Sequence, residues 1–534
     1  MRSDDYAQKA DRQYVRPNSS IFNRGSISFS TKDGSIIDAA TLQTGYNVTI
    51  NPSTLKEPAD VFNNLSFILE LDENDFFKSA DKTEDPYEEI FKRATPSDAE
   101  KIKEMDIDGV SLYKDRWRFY PGKSLGSHVL GFMSYKGDEL RGQYGLERQY
   151  NEVLDKSHNS LYANFFIEIF SGVGNSLKGK DSSGSIITTI EPTVQTFVEK
   201  EIDNVRSNWS AKKTGVIVMN PKNGEIYSMA LNPTFDLNTF NEVDDIAIYK
   251  NDLVESVYEM GSIVKPLTMA IGLDTNSVIA GTTYEDRGQL TLNNRTFYNY
   301  DGKARGVVSM QDVLNNSLNT GVAFVVSRVG NNVFSDYMKK LIGNTTDIDL
   351  PNEASPLVSN LDSPRDIEHA TASFGQGIAM SPISITRALA SLGNGGLLIH
   401  PHVVKSIKYD LGYTKEVDER EPIRIFSEET SEEISRMLVT VVDDALLGGT
   451  VALPNYTIAA KTGTAQIANG RGGYYDDRYL HSFFGYFPAY DPEFIVFLYV
   501  IELYGVQYAS QTLTEPFMNI AKFLINYYEV PPDR

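Results

Sequence analysis

The stretch Glu259-Met260-Gly261-Ser262-Ile263-Val264-Lys265-Pro266 places a serine and a lysine three residues apart, after a glycine and ahead of an apolar run. If a helix begins near Ser262, then Ser262 and Lys265 lie on one helical face, one turn apart. A serine hydroxyl becomes a useful nucleophile when a nearby base takes its proton, and an amine with a lowered pKa can be that base. A helix N-terminus also offers free backbone N–H groups to a developing oxyanion. The stretch therefore predicts a serine nucleophile beside a lysine base.

The Ser-x-x-Lys spacing is not specific by itself, because a solvated surface pair gives the same pattern. It recurs in this chain at Ser53/Lys56, Ser79/Lys82, Ser111/Lys114 and Ser210/Lys213. The surrounding sequence must therefore select among these copies.

Length and composition restrict the class of protein. A chain of 534 residues is too long for one compact core, so two or more domains are expected. The 50 Lys plus Arg and 72 Asp plus Glu residues give a net charge of −22, which repels phosphate backbones and argues against nucleic acid as a partner. Simple solubility accounts for the same charge. The absence of cysteine excludes disulfides, thiolate metal sites and cysteine nucleophiles.

Neither a membrane span nor a signal peptide is visible in the sequence. No run of about 18 apolar residues exists, and the start Met1-Arg2-Ser3-Asp4 lacks an apolar segment. We expect either a cytoplasmic protein or one whose membrane anchor has been removed from this sequence.

The pattern of turns and strands predicts an α+β protein of two domains. Residues 1–170 read as a mixed α/β domain without a catalytic constellation, and they begin with a hairpin over residues 24–37 and a separate short strand at 46–50. Residues 171–184 are rich in Gly, Ser, Lys and Asp and are interpreted as a linker. Residues 185–534 form the second domain.

The second domain is expected to contain one sheet whose strands come from distant parts of the chain. Its predicted elements are a hairpin over 214–230, helices near 261–273, 309–330, 384–393, 427–446 and 515–527, and strands at 456–459, 482–486 and 494–501.

A second motif, Lys461-Thr462-Gly463-Thr464, follows the predicted strand at 456–459. A lysine and hydroxyl groups on an edge strand can bind an anion, and Gly463 would let a substrate backbone approach closely. An extended substrate could then add to this edge as a further strand. A similar triplet, Lys213-Thr214-Gly215, precedes a run that reads as a buried central strand, so we interpret it as structural.

The third motif is Ser317-Leu318-Asn319. Ser and Asn also favour helix caps and turns, so helix punctuation explains this motif equally well when it stands alone. The order of the motifs is more specific: Ser317 lies 55 residues after Ser262, and Lys461 lies 144 residues after Ser317. A Ser-x-x-Lys, Ser-x-Asn, Lys-Thr-Gly series in this order is typical of penicillin-binding proteins and class A β-lactamases.

The chain resembles the class B penicillin-binding proteins, the monofunctional peptidoglycan D,D-transpeptidases, over nearly its whole length. Besides the three motifs, the resemblance rests on Arg24-Gly25-Ser26-Ile27, Gly126-Ser127-His128-Val129-Leu130-Gly131, Gly145-Leu146-Glu147, Asn232-Pro233-Thr234-Phe235 and Phe374-Gly375-Gln376-Gly377. Three residues depart from the family pattern, namely Met260, Ala460 and Leu318. None of the three removes a reacting group.

The resemblance implies a non-catalytic pedestal domain followed by a transpeptidase domain with a central antiparallel sheet flanked by helices. It implies that Ser262 attacks the carbonyl between two D-alanines, Lys265 is the base and Ser317 passes a proton to the leaving amine. Asn319 would hold the substrate amide. The terminal carboxylate would be bound by Lys461, Thr462 and Thr464, with Gly463 between them, and the backbone N–H groups of Ser262 and Thr464 would form the oxyanion hole. No metal or cofactor has a role in this scheme.

The resemblance also implies partners and a location. The partners would be peptidoglycan stem peptides, β-lactam antibiotics, and a membrane glycan polymerase within a cell-wall synthesis or division complex. The protein would act at the extracytoplasmic face of the bacterial membrane, held by a single-pass anchor that this sequence lacks. Residues 472–475, Gly-Gly-Tyr-Tyr, resemble division-type members.

Three alternatives remain open at this point. A D,D-carboxypeptidase uses the same motifs with water as the acceptor, and a catalytically weak scaffold of the cell-wall machinery would keep the fold without turnover. A class A β-lactamase would be much smaller and would need a deacylating glutamate, so the long first domain argues against it.

Overall fold

A computed structural model describes residues 22–137, 139–156, 183–417, 420–470, 473–503 and 505–534. Most of the expected linker at 171–184 lies outside the described residues, as do residues 1–21.

The strands of the described residues lie in both halves of the chain. They are β1 Ile27–Ser30, β2 Ile36–Ile50, β3 Glu88–Ala94, β4 Val110–Phe119, β5 Met133–Lys136, β6 Glu139–Gly142, β7 Gly184–Thr188, β8 Lys213–Met219, β9 Ile226–Asn232, β10 Thr283–Asp286, β11 Gln289–Leu292, β12 Arg295–Tyr298, β13 Gly306–Ser309, β14 Leu397–Leu398, β15 Val404–Tyr409, β16 Thr414–Glu416, β17 Ile423–Arg424, β18 Ala459–Ala468, β19 Tyr474–Phe487 and β20 Phe494–Ile501.

The longer helices lie mainly in the second half. The α-helices of the described residues are α1 Pro58–Ser66, α2 Glu73–Ala80, α3 Pro96–Glu104, α4 Ser127–Leu130, α5 Gly145–Gln149, α6 Asn151–Leu154, α7 Pro192–Trp209, α8 Asp252–Glu255, α9 Lys265–Asp274, α10 Met310–Asn315, α11 Asn319–Val329, α12 Asn331–Ile342, α13 Asp366–Ala372, α14 Pro382–Ala390, α15 Glu428–Thr440, α16 Ala509–Thr512 and α17 Thr514–Tyr528. A 3₁₀ turn at Gly261–Val264 precedes α9, and a π-helical turn at Val441–Ala445 follows α15.

The second half is built on a five-stranded antiparallel sheet in the order β18-β19-β20-β8-β9, which confirms the predicted central sheet. Its central strand β20 is buried along its whole length, because both faces are covered by helices. On one face Val496 and Leu498 share a core with α7 and α17. On the other face Ile495 and Phe497 join the larger core that contains α9, α11, α14 and α15.

The first half is joined to the second through a mixed sheet in the order β16-β15-β7-β1-β2-β3, with β4 also paired to β2. The predicted hairpin at 24–37 is confirmed as β1 and β2. The separate strand expected at 46–50 is wrong, because β2 continues without a break from Ile36 to Ile50 and pairs with β4 over its second part. Strand β1 also pairs in parallel with β7, so residues from both sides of the expected linker form one sheet.

The far end of the first half has a hydrophobic core of its own. Residues from β2, α1, α2, β3 and α3 form this core, and all of its buried members lie between Val48 and Ile102. In contrast, Ile27, Phe29 and Leu130 belong to the large core of the second half. The first half therefore consists of a base that is continuous with the second half and a distal lobe that carries its own core.

Candidate active site

Ser262 lies at the mouth of a cavity of about 630 Å³. It belongs to the 3₁₀ turn Gly261–Val264, which continues directly into α9, so Ser262 and Lys265 lie on consecutive turns as predicted. Gly261 has a φ of 63°, and a Cβ there would lie 2.7 Å from the carbonyl oxygen of Thr464. The Gly261 N–H donates to the carbonyl of Gly375 at 3.2 Å. Only glycine therefore fits immediately before the nucleophile, where the turn touches β18.

Lys265 is completely buried behind Ser262. Its Nζ donates to the carbonyl oxygen of Ser317 at 2.5 Å and to Ser317 Oγ at 3.1 Å. Burial, together with the nearby charge of Lys461, lowers the pKa of Lys265 well below its usual value. A lowered pKa increases the neutral fraction of this amine, which is the form that can accept a proton.

Ser317 lies in a break between the two helices of the region predicted as helical at 309–330, and the sequence also offered helix punctuation at this motif. Helix α10 ends at Asn315, and α11 begins at Asn319. Ser317 has a φ of 51°, an uncommon left-handed conformation for a residue with a Cβ. The adjacent Leu318 is completely buried, which holds the break in the core. This conformation turns both the carbonyl and the hydroxyl of Ser317 towards Lys265.

Asn319 opens α11 and lines the same cavity. Its Nδ2 donates to the backbone carbonyl of Tyr298 at 2.8 Å. The side chain is therefore held beside the hairpin β11–β12, which forms part of the cavity wall through Phe297 and Tyr298.

Strand β18 forms the opposite wall and is the edge strand of the central sheet, as the substrate-addition hypothesis requires. It begins at Ala459 and includes the whole Lys-Thr-Gly-Thr motif, so the prediction of a strand that ends before Lys461 is wrong. Thr462 and Thr464 alternate along the strand and line the cavity. Lys461 is buried and donates to the carbonyl of Thr462 at 3.0 Å, and burial lowers its pKa to about 8.

Gly463 points away from the cavity, unlike its neighbours. A Cβ at this position would lie 2.4 Å from Ser482 Oγ and 2.8 Å from the carbonyl oxygen of Met260. The glycine thus lets β18 pack tightly against the turn that carries Ser262. The sequence suggested that Gly463 leaves room for a substrate backbone. In the structure, the missing side chain leaves room for Ser482 and the Met260 carbonyl instead.

Several side chains of this site were not singled out by the sequence. Phe374, Gln376, Tyr298, Tyr300 and Tyr508 line the cavity. The Phe374–Gly377 stretch was noted only as a family motif, which was the available signal for the first two. Aromatic residues at 298, 300 and 508 carry no local pattern that separates them from the many other tyrosines of the chain.

Two further residues fix the position of the turn that carries the nucleophile. Ser482 Oγ donates to the carbonyl of Met260 at 3.0 Å. The carboxylate of Glu259 accepts hydrogen bonds from the Gly377 N–H at 2.9 Å and from the Tyr474 hydroxyl at 2.9 and 3.1 Å. The nucleophile is therefore held from the sheet on one side and from the Gly375–Gly377 loop on the other.

Three lysines of the other motif copies form ion pairs. Lys213 forms an ion pair with the buried carboxylate of Asp252, and its strand β8 is an inner strand of the sheet, which confirms the structural interpretation. Lys56 pairs with Asp108 at 3.0 Å, and Lys82 pairs with Glu88 at 2.7 Å.

The described residues lack two features. No group of three or more His, Cys, Asp or Glu side chains in this part of the chain could hold a metal ion. In the same part of the chain, no helix combines the length and apolar character needed to cross a membrane.

The profile of the family described as "Penicillin binding protein transpeptidase domain" matches residues 214–522, more than half of the chain. The chain belongs to this family. A second profile, "Penicillin-binding Protein dimerisation domain", matches residues 23–160. This pair of domains is that of a class B penicillin-binding protein, a serine-type transpeptidase of D-Ala-D-Ala peptides.

Relatives and solved structures agree with the family. The chain is 29% identical to Stage V sporulation protein D of Bacillus subtilis over 92% of this chain and 77% of the relative. It is 28% identical to the peptidoglycan D,D-transpeptidase FtsI homolog of Mesostigma viride over 91% of this chain and 85% of the relative. The crystal structure of penicillin-binding protein 3 from Mycobacterium tuberculosis complexed with aztreonam has the same fold, with a TM-score of 0.71 and 22% identity over 96% of this chain and 98% of that one.

Proposed function

We propose that this penicillin-binding protein cross-links peptidoglycan stem peptides through an acyl-enzyme on Ser262. The observation that carries the proposal is that one cavity brings together residues from three distant parts of the chain: Ser262, Ser317 and Thr464 all line it. Lys265 connects the first two, since it follows Ser262 on the same helical face and donates to Ser317.

In the first step, Ser262 Oγ attacks the carbonyl carbon between the two terminal D-alanines. Neutral Lys265 accepts the proton of the hydroxyl, and the backbone N–H of Ser262 at the start of the 3₁₀ turn stabilises the oxyanion together with that of Thr464. The C–N bond then breaks. The proton passes through Ser317 to the amine of the departing D-alanine, and the remaining acyl group stays as an ester on Ser262.

The terminal carboxylate of the donor peptide is bound by β18. Thr462 and Thr464 present hydroxyl groups to the cavity, and the ammonium of Lys461 lies directly beneath them. Asn319 binds the backbone amide of the peptide from the opposite wall. Because β18 is an edge strand, the donor peptide adds to it in extended form.

In the second step, an amine of a neighbouring stem peptide attacks the ester. The new amide bond forms, and the proton of the amine returns to Ser262 Oγ through Lys265. A D,D-carboxypeptidase would differ only in using water here, so the acceptor has to be identified by experiment.

We further propose a class of inhibitor, a cellular location and a protein partner for this enzyme. β-Lactams resemble the D-Ala-D-Ala terminus and would acylate Ser262, which is consistent with the aztreonam complex of the structural relative. We assign the protein to the extracytoplasmic face of the cell membrane, with a glycan polymerase as its partner through the first half of the chain.

Intact-mass spectrometry after incubation with a penicillin tests the nucleophile. One adduct is expected on the wild-type protein and none on Ser262→Ala, whereas an adduct on the variant would place the nucleophile elsewhere. To identify the acceptor, a donor peptide ending in D-Ala-D-Ala is incubated with an excess of a D-amino acid. Formation of the exchanged peptide supports transpeptidation, and exclusive release of the shortened peptide supports the carboxypeptidase.

A further inference from the structure

A short segment, Gln507–Thr512, forms one wall of the cavity beside Thr464. Its residues Gln507, Tyr508, Ala509 and Ser510 line the cavity, and its second part is the single-turn helix α16. The segment follows β20 and lies against β18 and β19. Its position therefore decides how the carboxylate-binding end of the cavity is shaped.

The segment is held by one buried imidazole. His481 on β19 is completely buried and stands directly opposite Thr464 on β18 in the strand pairing. Its Nε2 lies 3.1 Å from the carbonyl oxygen of Gln507, and its Nδ1 lies 2.9 Å from Thr512 Oγ1. One side chain thus forms hydrogen bonds with both ends of the segment.

The partners of the ring fix its tautomer. A carbonyl oxygen can only accept, so Nε2 carries the hydrogen and donates it to Gln507. Nδ1 is then an acceptor for the Thr512 hydroxyl at 2.9 Å, and the same hydroxyl also lies 3.2 Å from the carbonyl oxygen of Ala509, its second acceptor. Burial lowers the pKa of His481 to about 4, so this neutral form is the one present at neutral pH.

The segment also forms a hydrogen bond with Thr464. The backbone N–H of Ala509 donates to Thr464 Oγ1 at 3.2 Å. A hydroxyl oxygen that accepts a hydrogen bond still has its own hydrogen to donate. The Ala509 N–H occupies one acceptor position of this oxygen, so the hydroxyl hydrogen remains available for a ligand in the cavity that Thr464 lines.

We propose that His481 is a positioning residue that, through the 507–512 segment, orients the Thr464 hydroxyl and thereby selects substrates whose leaving group ends in a carboxylate. This inference rests on the proposed function, because it needs Thr464 to bind the leaving group. His481 itself touches neither the substrate nor the reacting atoms.

The test compares two thioesters with the same N-acyl-D-alanyl group. One has a thioglycolate leaving group with a free carboxylate, and the other has the corresponding amide. Both give the same acyl-enzyme and the same deacylation rate, so the ratio of their kcat/KM values reports only how acylation depends on the carboxylate.

His481→Phe fills the space of the imidazole but removes both hydrogen bonds. We expect the acid-to-amide ratio of kcat/KM to fall by a factor on the order of 10, the scale of one hydrogen bond to a charged group. Thr464→Val should lower the ratio by a similar factor, and the double variant should lose no more than Thr464→Val alone, since both act on one contact. His481→Gln, which keeps an N–H for the Gln507 carbonyl, should restore much of the ratio.

His128 offers a matched control in another part of the fold. It is also buried, with Nδ1 3.3 Å from Ser127 Oγ and Nε2 2.9 Å from the carbonyl of Ile248, and burial lowers its pKa to about 4 as well. His128→Phe should therefore lower the melting temperature without changing the acid-to-amide ratio.

The proposed function and the role of His481 are contradicted by different results. If the wild-type protein reacts with neither thioester nor with penicillin, the proposed function fails. If it reacts but His481→Phe slows both thioesters equally, or leaves the ratio intact, the positioning role of His481 is overturned. Should His481→Phe not fold, Thr512→Val removes the hydroxyl that contacts both Nδ1 and the Ala509 carbonyl, and an unchanged ratio in that variant and in His481→Gln would equally overturn it.

Discussion

Lys265 contacts Ser317 twice, through the backbone carbonyl at 2.5 Å and through Oγ at 3.1 Å, although 52 residues separate them. The double contact depends on the left-handed backbone of Ser317, which directs both of its oxygens to one side. Backbone conformations of this kind are costly and are retained where the surroundings enforce them, often at active sites. Lys265 and Ser317, the proposed base and proton carrier, therefore meet at one buried junction between α9 and the break before α11, next to Ser262, the proposed nucleophile.

The two buried lysines predict a bell-shaped pH profile for acylation. Lys265 must be neutral to accept a proton, so the rate constant should rise with pH through its lowered pKa, well below 10.5. Lys461 must be charged to bind the carboxylate, so the rate should fall again above about pH 8. The measurement is the second-order rate constant of penicillin acylation between pH 5 and 10.

Lys461→Arg is the control for the basic side of this profile. Arginine stays charged throughout the range, so the fall above about pH 8 should disappear in this variant even if its overall rate is lower. A wild-type rate that keeps rising up to pH 10 would contradict either the lowered pKa of Lys461 or its role in binding the carboxylate.

The two Lys-Thr-Gly copies should respond differently to the same change. Lys461→Ala removes the buried charge beneath the Thr462 and Thr464 hydroxyls and should slow acylation by a factor on the order of 100. Lys213→Ala leaves the Asp252 carboxylate buried with only Lys250, at 3.7 Å, as a cationic partner, so it should lower the melting temperature. Stopped-flow acylation and calorimetry on both variants check the two effects, and the reverse pattern would contradict the assignment of β18.

Gly463→Ala tests the close packing of β18 on the turn of the nucleophile. The added Cβ would lie 2.4 Å from Ser482 Oγ, so the strand has to move away from Ser262. We expect a loss of about 1–3 kcal/mol of stability, typical of overpacking, and an acylation rate at least about tenfold lower, because small displacements of reacting groups are costly.

Gly281→Ala is the matched control for this change. A Cβ at Gly281 would have no atom within 4 Å, so this variant should keep the wild-type acylation rate and melting temperature. If Gly463→Ala also behaved as the wild type, the close contact would have no importance for the site.

The order of the three motifs along the chain predicted which residues form the site. Local sequence patterns did not predict how the backbone is arranged there. The order of Ser262, Ser317 and Lys461 pointed to one site, and apolar strands at both ends of the second domain indicated one sheet formed by distant parts of the chain. Helix punctuation at Ser317 was one interpretation of the sequence, but the left-handed conformation of Ser317 and its contacts with the distant Lys265 leave no local pattern. Gly463 was given a role towards the substrate because its tertiary neighbour Ser482 cannot be seen in the local sequence.

In the first half of the chain, contacts between distant segments also could not be predicted from local sequence. Its hairpin was predicted from turn residues, but the parallel pairing of β1 with β7 joins segments more than 150 residues apart and leaves no local pattern. For this reason, removing all of residues 1–170 would take away four strands of the shared sheet, β1 to β4, and the core residues Ile27 and Phe29. A sharper deletion is needed to separate the role of the first half from the stability of the second.

The distal lobe provides such a deletion. Gly45 and Asp115 face each other in the antiparallel pairing of β2 with β4, so residues 46–114 can be replaced by an Asn-Gly turn that closes the shortened hairpin. The deletion removes the whole of the separate core between Val48 and Ile102 and spares the base shared with the second half. We expect the shortened protein to fold and to take up penicillin at the wild-type rate, because no residue of the cavity lies in the deleted part.

If the distal lobe carries the polymerase contact, the shortened protein should lose its partner but keep its chemistry. Both proteins are fused to the same transmembrane helix and co-expressed with the membrane glycan polymerase, and co-purification is compared at equal expression. Loss of the polymerase together with normal penicillin uptake supports the docking role of the lobe. Retention of the polymerase would place the contact on the base around β1 and β7 or on the transpeptidase domain, since these surfaces are unchanged by the deletion.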